Sequence, residues 1–430
     1  MAFVIQDPLK AMRQARGFER MDGKMIEAPS PAPSKSDVGP PEMGYGKLFL
    51  IFLGFGFMAW GGPVAQIAMI RRELVEARGW ISSDRFNRLL AVMQVLPGPE
   101  AHELCVHLGM RAKGRIGGLL AGLGFMAPGF VLMLLLSWAY FALDMEGTLV
   151  GAAFLGVQAA VIALIVRAVH RIGEHVLLTL KLWGVAAACA LGALAGAPFW
   201  ISLPAAGAVF ALFSLRQPIW AALVGVGAAL ACAAIVLLSP EDVSSAQATV
   251  AQSPASLPAL FLSGLKAGLL TFGGAYTAIP FVRNDAVGQG WMSDAQFLDG
   301  LALSGVLPAP LIIFATFVGY VPGGPLGAVA MTAGVFLPAF AFSLLFYDRL
   351  EQVVENPRLQ ALLEGVAAGV VGLIAATTLE LGRDTATRID PLIVGLAIFG
   401  AALLLLYFWK SRWNVPVCIL AAGAVGAALL

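Results

Sequence analysis

Two glutamates three residues apart, Glu100 and Glu103, follow directly on a Pro97-Gly98-Pro99 run inside a stretch that is otherwise apolar from 87 to 110. Pro97 and Pro99 remove two backbone donors and forbid a regular helix, so the carbonyls freed there need partners other than hydrocarbon. A helix restarting at Glu100 presents free N–H groups and the positive end of its dipole, which suits a small anion. Glu100 and Glu103 share one face of that helix, where a carboxylate can carry a proton or hold an arginine in place. Arg72 and Arg283, at matching places in the two halves of the chain, each offer a planar fork of donors suited to an oxyanion. A charge inside an apolar span costs about 2.5–3.5 kcal/mol on insertion scales. Arg72, Glu73, Arg78, Glu100, Glu103, Arg283 and Asp285 are therefore singled out, with Glu73, Glu100 and Glu103 as candidate proton carriers. The competing readings are a solvated interfacial cluster for the residues of 71–88 and a helix-terminal cap charge for Glu100.

Other chemistries are disfavoured. His102-Glu103-Leu104-Cys105-Val106-His107 resembles a zinc-protease helix, but its histidines are five positions apart, about 140° around the helix, whereas metal-binding pairs four apart share a face. Cys105, Cys189, Cys232 and Cys418 each stand alone in apolar surroundings, which gives neither a disulfide framework nor a metal spacing. There is no serine–histidine pair, phosphate loop or cofactor fingerprint. No catalytic residue, metal or cofactor is expected, and a net charge of +1 argues against a nucleic-acid partner.

The elements that must position these residues are written twice. Trp60-Gly61-Gly62, Gly79-Trp80, Val95-Leu96-Pro97-Gly98-Pro99 and Pro128 are followed by Phe272-Gly273-Gly274, Gly290-Trp291, Val306-Leu307-Pro308-Ala309-Pro310 and Pro338, in the same order and at offsets of 210 to 212 residues. Apolar helices interrupted by glycine and proline at matching places in two repeats point to a secondary transporter with its site at the repeat interface. Gly61, Gly62, Pro63, Gly273 and Gly274 form one pair of breaks, and Pro97, Gly98, Pro99, Pro308 and Pro310 the other. Taken singly, each break could serve only packing; the repetition favours a binding turn.

Composition agrees. The chain is 59% hydrophobic and 12% charged, with mean hydropathy +0.84, so it has too little polar surface to clothe a soluble globule. An all-α polytopic membrane protein is expected, with about thirteen apolar spans of bilayer length, among them 47–70, 87–110, 149–168, 258–281, 296–320 and 414–430. Residues 1–46 read as a cytoplasmic, largely disordered tail without a signal peptide. The first repeat is placed at 47–239 with seven spans, an extracytoplasmic linker at 240–257, and the second repeat at 258–430 with six. An odd number of spans turns the second copy over, which makes the halves an inverted-topology pair. Retention of Lys and Arg on the cytoplasmic side puts the N-terminus inside and the C-terminus outside. Arg111, Lys113, Arg115, Arg167, Arg171, Arg216, Arg349, Arg358, Lys410 and Arg412 then fall inside, with Asp144, Glu146, Glu241 and Asp242 outside. Arg71, Arg72, Arg78, Arg85 and Arg88 fit this only if 47–70 and 87–110 are re-entrant hairpins.

Gly61-Gly62-Pro63, Glu73, Arg78, Trp80, Leu96 through Ala101, Gly109 and Pro128 closely resemble the chromate ion transporter family. Thr271 through Gly274, Arg283, Trp291, Pro308-Ala309-Pro310 and Ala315-Thr316-Phe317-Val318-Gly319-Tyr320 resemble the second copy of its long, two-domain form. The resemblance runs from about residue 47 to the end and leaves out the N-terminal tail. It implies a bacterial inner-membrane antiporter that exports chromate, usually credited to the proton gradient and conferring chromate resistance, with sulfate as the chemical look-alike. It also implies a part for Thr316 in substrate binding. Ala309, where the family's second copy often has glycine, and Asn284, where it often has an acid, depart from the pattern. The alternatives are a sulfate or oxyanion uptake permease and, from another class, a membrane-bound reductase. The partners expected are chromate or sulfate, protons and the lipid bilayer; a homodimer is left open.

Overall fold

The computed structural model describes residues 18–21, 24–27, 39–93, 96–142, 149–238, 255–272, 274–346 and 356–430. Gly273, the 240–254 part of the expected linker, and the orientation markers Asp144, Glu146, Glu241, Asp242 and Arg349 lie outside the described residues. The described chain is helical apart from an antiparallel hairpin, β1 (Phe18–Met21) with β2 (Lys24–Glu27), in the N-terminal tail.

In chain order the helices are α1 (Tyr45–Phe57), α2 (Gly62–Ile70, running on as a π turn Arg71–Ala77), α3 (Ser83–Met93), α4 (Glu100–Ala142), α5 (Leu149–Val176), α6 (Leu180–Leu194), α7 (Phe199–Ser214) and α8 (Pro218–Leu238). They continue with α9 (Leu257–Leu269), α10 (Ile279–Ala286), α11 (Asp294–Gly305), α12 (Phe314–Ala341), α13 (Pro357–Arg388), α14 (Leu392–Phe408) and α15 (Asn414–Leu429). Five helical runs are long and apolar enough to cross a membrane: Glu100–Ala142, Leu149–Val176, Pro218–Leu238, Leu311–Leu345 and Pro357–Arg388. Helix α8 buries little of itself, leaving Ile219, Leu237 and Leu238 at least 74% exposed. Such a surface needs hydrocarbon around it, and the chain is a multi-pass membrane protein.

The thirteen even spans expected from hydropathy are not what the described helices form. Helix α4 folds back on itself at Lys113 and Gly114, where Gly114 takes φ 62°, giving a short arm (100–112) and a long arm (115–142). Helix α12 does the same at Gly324, with φ 57°. Small residues let the arms touch. A Cβ on Gly109 would lie 2.6 Å from the Gly117 carbonyl oxygen, and one on Gly319 would lie 2.6 Å from Met331 Cβ. Hydropathy cannot see such a fold, because each arm is apolar and a single glycine makes the turn.

The expected spans 47–70 and 87–110 are likewise broken, into α1 and α2 and into α3 and the short arm of α4. Helix α1 starts at the Lys113 turn, with the Lys113 ammonium 4.9 Å from the centre of the Tyr45 ring. It ends halfway along the long arm, where a Cβ on Gly56 would meet Pro128 Cδ at 2.9 Å. Arg71, in the π turn that prolongs α2, donates to Ser83 Oγ at 2.7 Å and Asn87 Oδ1 at 3.1 Å on α3. Arg85, on α3, is within electrostatic reach of His107 and so near the same turn. Both pairs therefore enter and leave at one end of the molecule. Arg71 and Arg85 are thereby placed toward the end that carries Arg111.

The second half builds the same unit. Trp80 and Phe86 are buried in the first core, and Trp291 and Phe297, 211 residues on, in the second. The two long arms pass each other in opposite directions: Gly118 faces Leu344 and Gly122 faces the Phe340 ring. At the far end of the first long arm, the Phe141 ring stacks on Phe317 and Tyr320, close to the Gly324 turn. The remaining helices exchange partners. Gly156 of α5 lies against Gly426 of α15, while Gly365 and Gly372 of α13 lie against the Ala206 and Ala186 carbonyls of α7 and α6.

Replacing Gly109 by valine should separate the arms of α4 and lower the melting temperature of the detergent-purified protein, as overpacking by about 1–3 kcal/mol requires. Gly184→Ala, at a lipid-facing position with open space around it, is the control and should melt no lower than the parent. An unchanged melt for Gly109→Val would show that the arms do not touch.

Candidate functional site

Four helix breaks occur in the two repeats, and those that are described converge between the halves. Leu96 through Pro99 cannot be helical because two prolines flank a glycine at φ 147°. The Gly98 N–H donates to the Thr271 carbonyl at 2.8 Å, so the proline break of one half is hydrogen-bonded to the glycine break of the other. The proline breaks also reach across. A Cβ on Gly98 would lie 3.3 Å from Ala339 Cβ in the second half, and Ala309 packs against Gly129 in the first.

The short arm of α4 restarts at once, the Pro99 carbonyl accepting from the His102 and Glu103 N–H groups at 2.9 and 3.1 Å. Glu103 then folds back toward the break, its Oε1 2.7 Å from where a Gly98 Cβ would be. Glu103 is 0% exposed, and neither carboxylate oxygen has a hydrogen-bond partner. Glu100 is 8% exposed and close enough for the two carboxyl groups to repel if both ionise. The His102 ring lies 4.9, 4.7 and 6.4 Å from the rings of Phe336, Phe340 and Phe125. A buried, unpartnered carboxyl beside a backbone break can exist as the neutral acid or in the company of water or an ion. Such a group can take up and release a proton.

The glycine breaks each lie near a segment of the opposite half that bears arginine. Gly61 and Gly62 have φ 91° and 77°, Pro63 follows at the start of α2, and the backbone of Arg412, in the α14–α15 loop, approaches Gly61 closely. The Trp60 ring packs at a tilt against Trp413, 4.8 Å between centres. In the second half Gly274 has φ 118°, and its carbonyl accepts from Thr277 Oγ1 at 2.7 Å. The neighbouring Tyr276 is within electrostatic reach of Arg167 and Arg171 on α5 of the first half.

Other residues marked in the sequence lie elsewhere. Arg72 and Arg78 are exposed at the Lys113 end, with Glu73 pairing Arg78 at 3.9 Å. Arg283 is bound by carboxylates: Nε and Nη2 donate to Asp294 at 2.7 and 3.1 Å, and Nη1 donates to Glu380 at 2.5 Å. Its counterpart in the first half is Arg71 with Ser83 rather than Arg72. Asp285 is tied to Ser263 and Lys266, and Thr316 shares a 2.8 Å hydrogen bond with Thr332 across the α12 hairpin. Gln158, Arg167, Asp299 and Arg412 are not among the residues that the sequence marks as site candidates. Asp299 carries the strongest signal in the sequence, a carboxylate within the expected span 296–320.

If Arg283 anchors α10 to α11 and α13, Arg283→Ala should lower the melting temperature, and Glu380→Gln in the same chain should recover part of the loss, a coupling of about 0.5–3 kcal/mol. A variant that melts like the parent and yet fails to bind anion would instead make Arg283 a ligand of the substrate.

The chain matches the chromate transporter family over residues 46–232 and again over 258–427. It is 68% identical over 387 residues to a chromate transport protein of Pseudomonas aeruginosa, covering 90% of this chain and 93% of that protein. Identity is 30% over 386 residues to a chromate transport protein of Cupriavidus metallidurans, covering 88% and 92%. It is 26% over 411 residues to an uncharacterized transporter of Methanocaldococcus jannaschii, covering 89% and 94%. No solved structure matches it. The two matched segments carry the broken helices just described, and the chain belongs to the chromate transporter family.

Proposed function

We propose that the protein is a secondary transporter, not an enzyme, that exports chromate from the bacterial cytoplasm in exchange for protons and so confers chromate resistance. The observation that carries this reading is the Gly98 N–H to Thr271 carbonyl bond, with Glu103 buried and unpartnered beside it. It joins broken helices of two repeats at one place, where a small anion and a proton could be handled together. The substrate is suggested by the names of the Pseudomonas and Cupriavidus relatives. Arg167 and Arg412, each beside the glycine break of the opposite half, are the cations proposed to draw the anion in.

The halves are read as an inverted pair, which is supported by the opposed long arms and by the placement of the Lys113 and Gly324 turns at opposite ends. The cation-rich Lys113 end is assigned to the cytoplasm, with the N-terminus inside and the C-terminus in the periplasm. An inside-negative potential is worth about 2.3 kcal/mol per charge per 100 mV, so a dianion gains roughly 4.6 kcal/mol on leaving the cell at that voltage. Uptake of sulfate by the same scaffold would need more than two co-transported cations to overcome that gain.

Of the three glutamates considered as proton carriers, Glu103 fits the geometry best, because it is fully buried without a partner whereas Glu73 is half-buried and paired with Arg78. Glu103→Gln keeps size and hydrogen-bonding reach but cannot titrate. In everted vesicles it should abolish chromate accumulation driven by a pH gradient while leaving chromate exchange at zero gradient intact. Retained pH-driven accumulation would remove Glu103 from the mechanism. Counterflow of labelled sulfate against chromate in proteoliposomes identifies the substrate, with chromate expected to exchange faster.

A further inference from the structure

At the end of the molecule away from the Lys113 turn, both halves contribute to one buried polar cluster. Tyr140 Oη, near the end of the long arm of α4, donates to Asp299 Oδ2 at 2.7 Å. Gln158 Nε2 of α5 donates to Asp299 Oδ1 at 2.7 Å, and Arg388 Nη1, at the end of α13, donates to Gln158 Oε1 at 2.7 Å. Arg388 is held in turn by Asp384 at 2.8 Å. Tyr140 and Gln158 belong to the first half, Asp299 and Arg388 to the second. Asp299 is 4% exposed and Gln158 3%. Tyr140 lies 25 residues along the arm from Arg115, about 37 Å at helical rise, so the cluster stands at the opposite mouth from the cation-rich end.

The corresponding place at the other mouth is different. Residue 88, at offset 211 from Asp299, is an exposed arginine on α3, and Asn87 beside it is exposed where its counterpart Leu298 is buried. The halves are joined by a buried polar cluster at the Asp299 mouth, where the equivalent positions at the Arg88 mouth carry exposed side chains.

We propose that Asp299 is a proton-binding residue that gates the mouth opposite the Lys113 turn, holding the halves together when ionised and releasing them when protonated. An ionised carboxylate accepts from Tyr140 and Gln158 at once. A protonated one donates from one oxygen to Tyr140 Oη, which then accepts where it had donated, so both charge-assisted bonds give way to neutral ones about half as strong. The charged and titratable groups around it are few: Tyr140 on α4, with Phe317 of α12 against its ring at 5.1 Å, and the Arg388–Asp384 pair on α13, which faces Asp299 through the neutral Gln158. The nearest cation is therefore kept off the carboxylate by an amide, which leaves Asp299 able to titrate. The proposal rests on the transport reading, since a gate is of use only to a pathway, and it complements Glu103 by placing a second proton site toward the other side.

The test is thiol accessibility. In a chain with Cys105, Cys189, Cys232 and Cys418 replaced by alanine, Ala302→Cys puts a thiol one turn deeper than Asp299 on the same helix face, at a position that is 2% exposed. An impermeant maleimide is added to right-side-out vesicles, and the rate is normalised to an exposed surface cysteine at each pH. Labelling should accelerate about tenfold, the weight of one hydrogen bond, as the external pH is lowered through the titration of Asp299. With Asp299→Asn it should be fast at every pH. Tyr140→Phe, which keeps the ring and removes one bond, should label at an intermediate rate and serves if the asparagine variant fails to reach the membrane. Labelling that ignores pH in the parent, or that neither variant changes, overturns the gate. The readout needs no flux, so a chain that labels as expected and carries no chromate overturns the substrate and not the gate.

Discussion

An apolar solvent allows a helix to break only where another part of the protein supplies the missing hydrogen bonds, and that requirement organises this structure. The Gly98 N–H, released by the proline break, is satisfied by the Thr271 carbonyl of the other half. Neither half could hold its break open alone in lipid. The two meet there, and the proline break of one half, the glycine break of the other and the buried Glu103 carboxyl lie together at that place. On the proposed reading, binding site and half–half interface are the same feature because they have the same cause.

Small residues make that meeting possible. The arms of α4 and α12 touch through glycine pairs at offset 210, and α5 and α13 lie against helices of the opposite half through Gly156, Gly365 and Gly372. Between lipid-solvated helices hydrophobic burial drives little, so association depends on close packing and on the few polar contacts that cross. Among the described residues those contacts include the Gly98 bond at the centre, the Tyr140, Gln158, Asp299 and Arg388 cluster at one mouth, and the 2.7 Å hydrogen bond between Tyr407 and His170. The unequal packing of the two mouths follows from side chains that differ at equivalent places, Arg88 against Asp299, within backbones that otherwise repeat.

The repeat, the breaks and the membrane location were legible in the sequence because proline and glycine act locally and because an apolar composition leaves no other solvent. The hairpins were less so. Hydropathy reports that 100–142 is apolar throughout and is silent about the turn at Gly114, and it merges α1 with α2 because both are apolar and only Gly61 and Gly62 separate them. On the proposed topology the arginines at 71–88, which fit neither side of a simple crossing, fit because the segment returns. Arg283 and Asp299 show the limit from the other direction. Residue type alone nominated the arginine as an anion ligand, yet Asp294 and Glu380 occupy its donors, whereas Asp299 draws its role from Tyr140 and Gln158, 159 and 141 positions away.

The central claim is that two oppositely oriented halves cross at their broken helices. Single cysteines at Lys113 and at Gly323, beside the two hairpin turns, test it most directly when probed with an impermeant thiol reagent in oriented vesicles. The account predicts that Lys113→Cys reacts only from the cytoplasmic face and Gly323→Cys only from the periplasmic face. Reaction of both from the same face would contradict it.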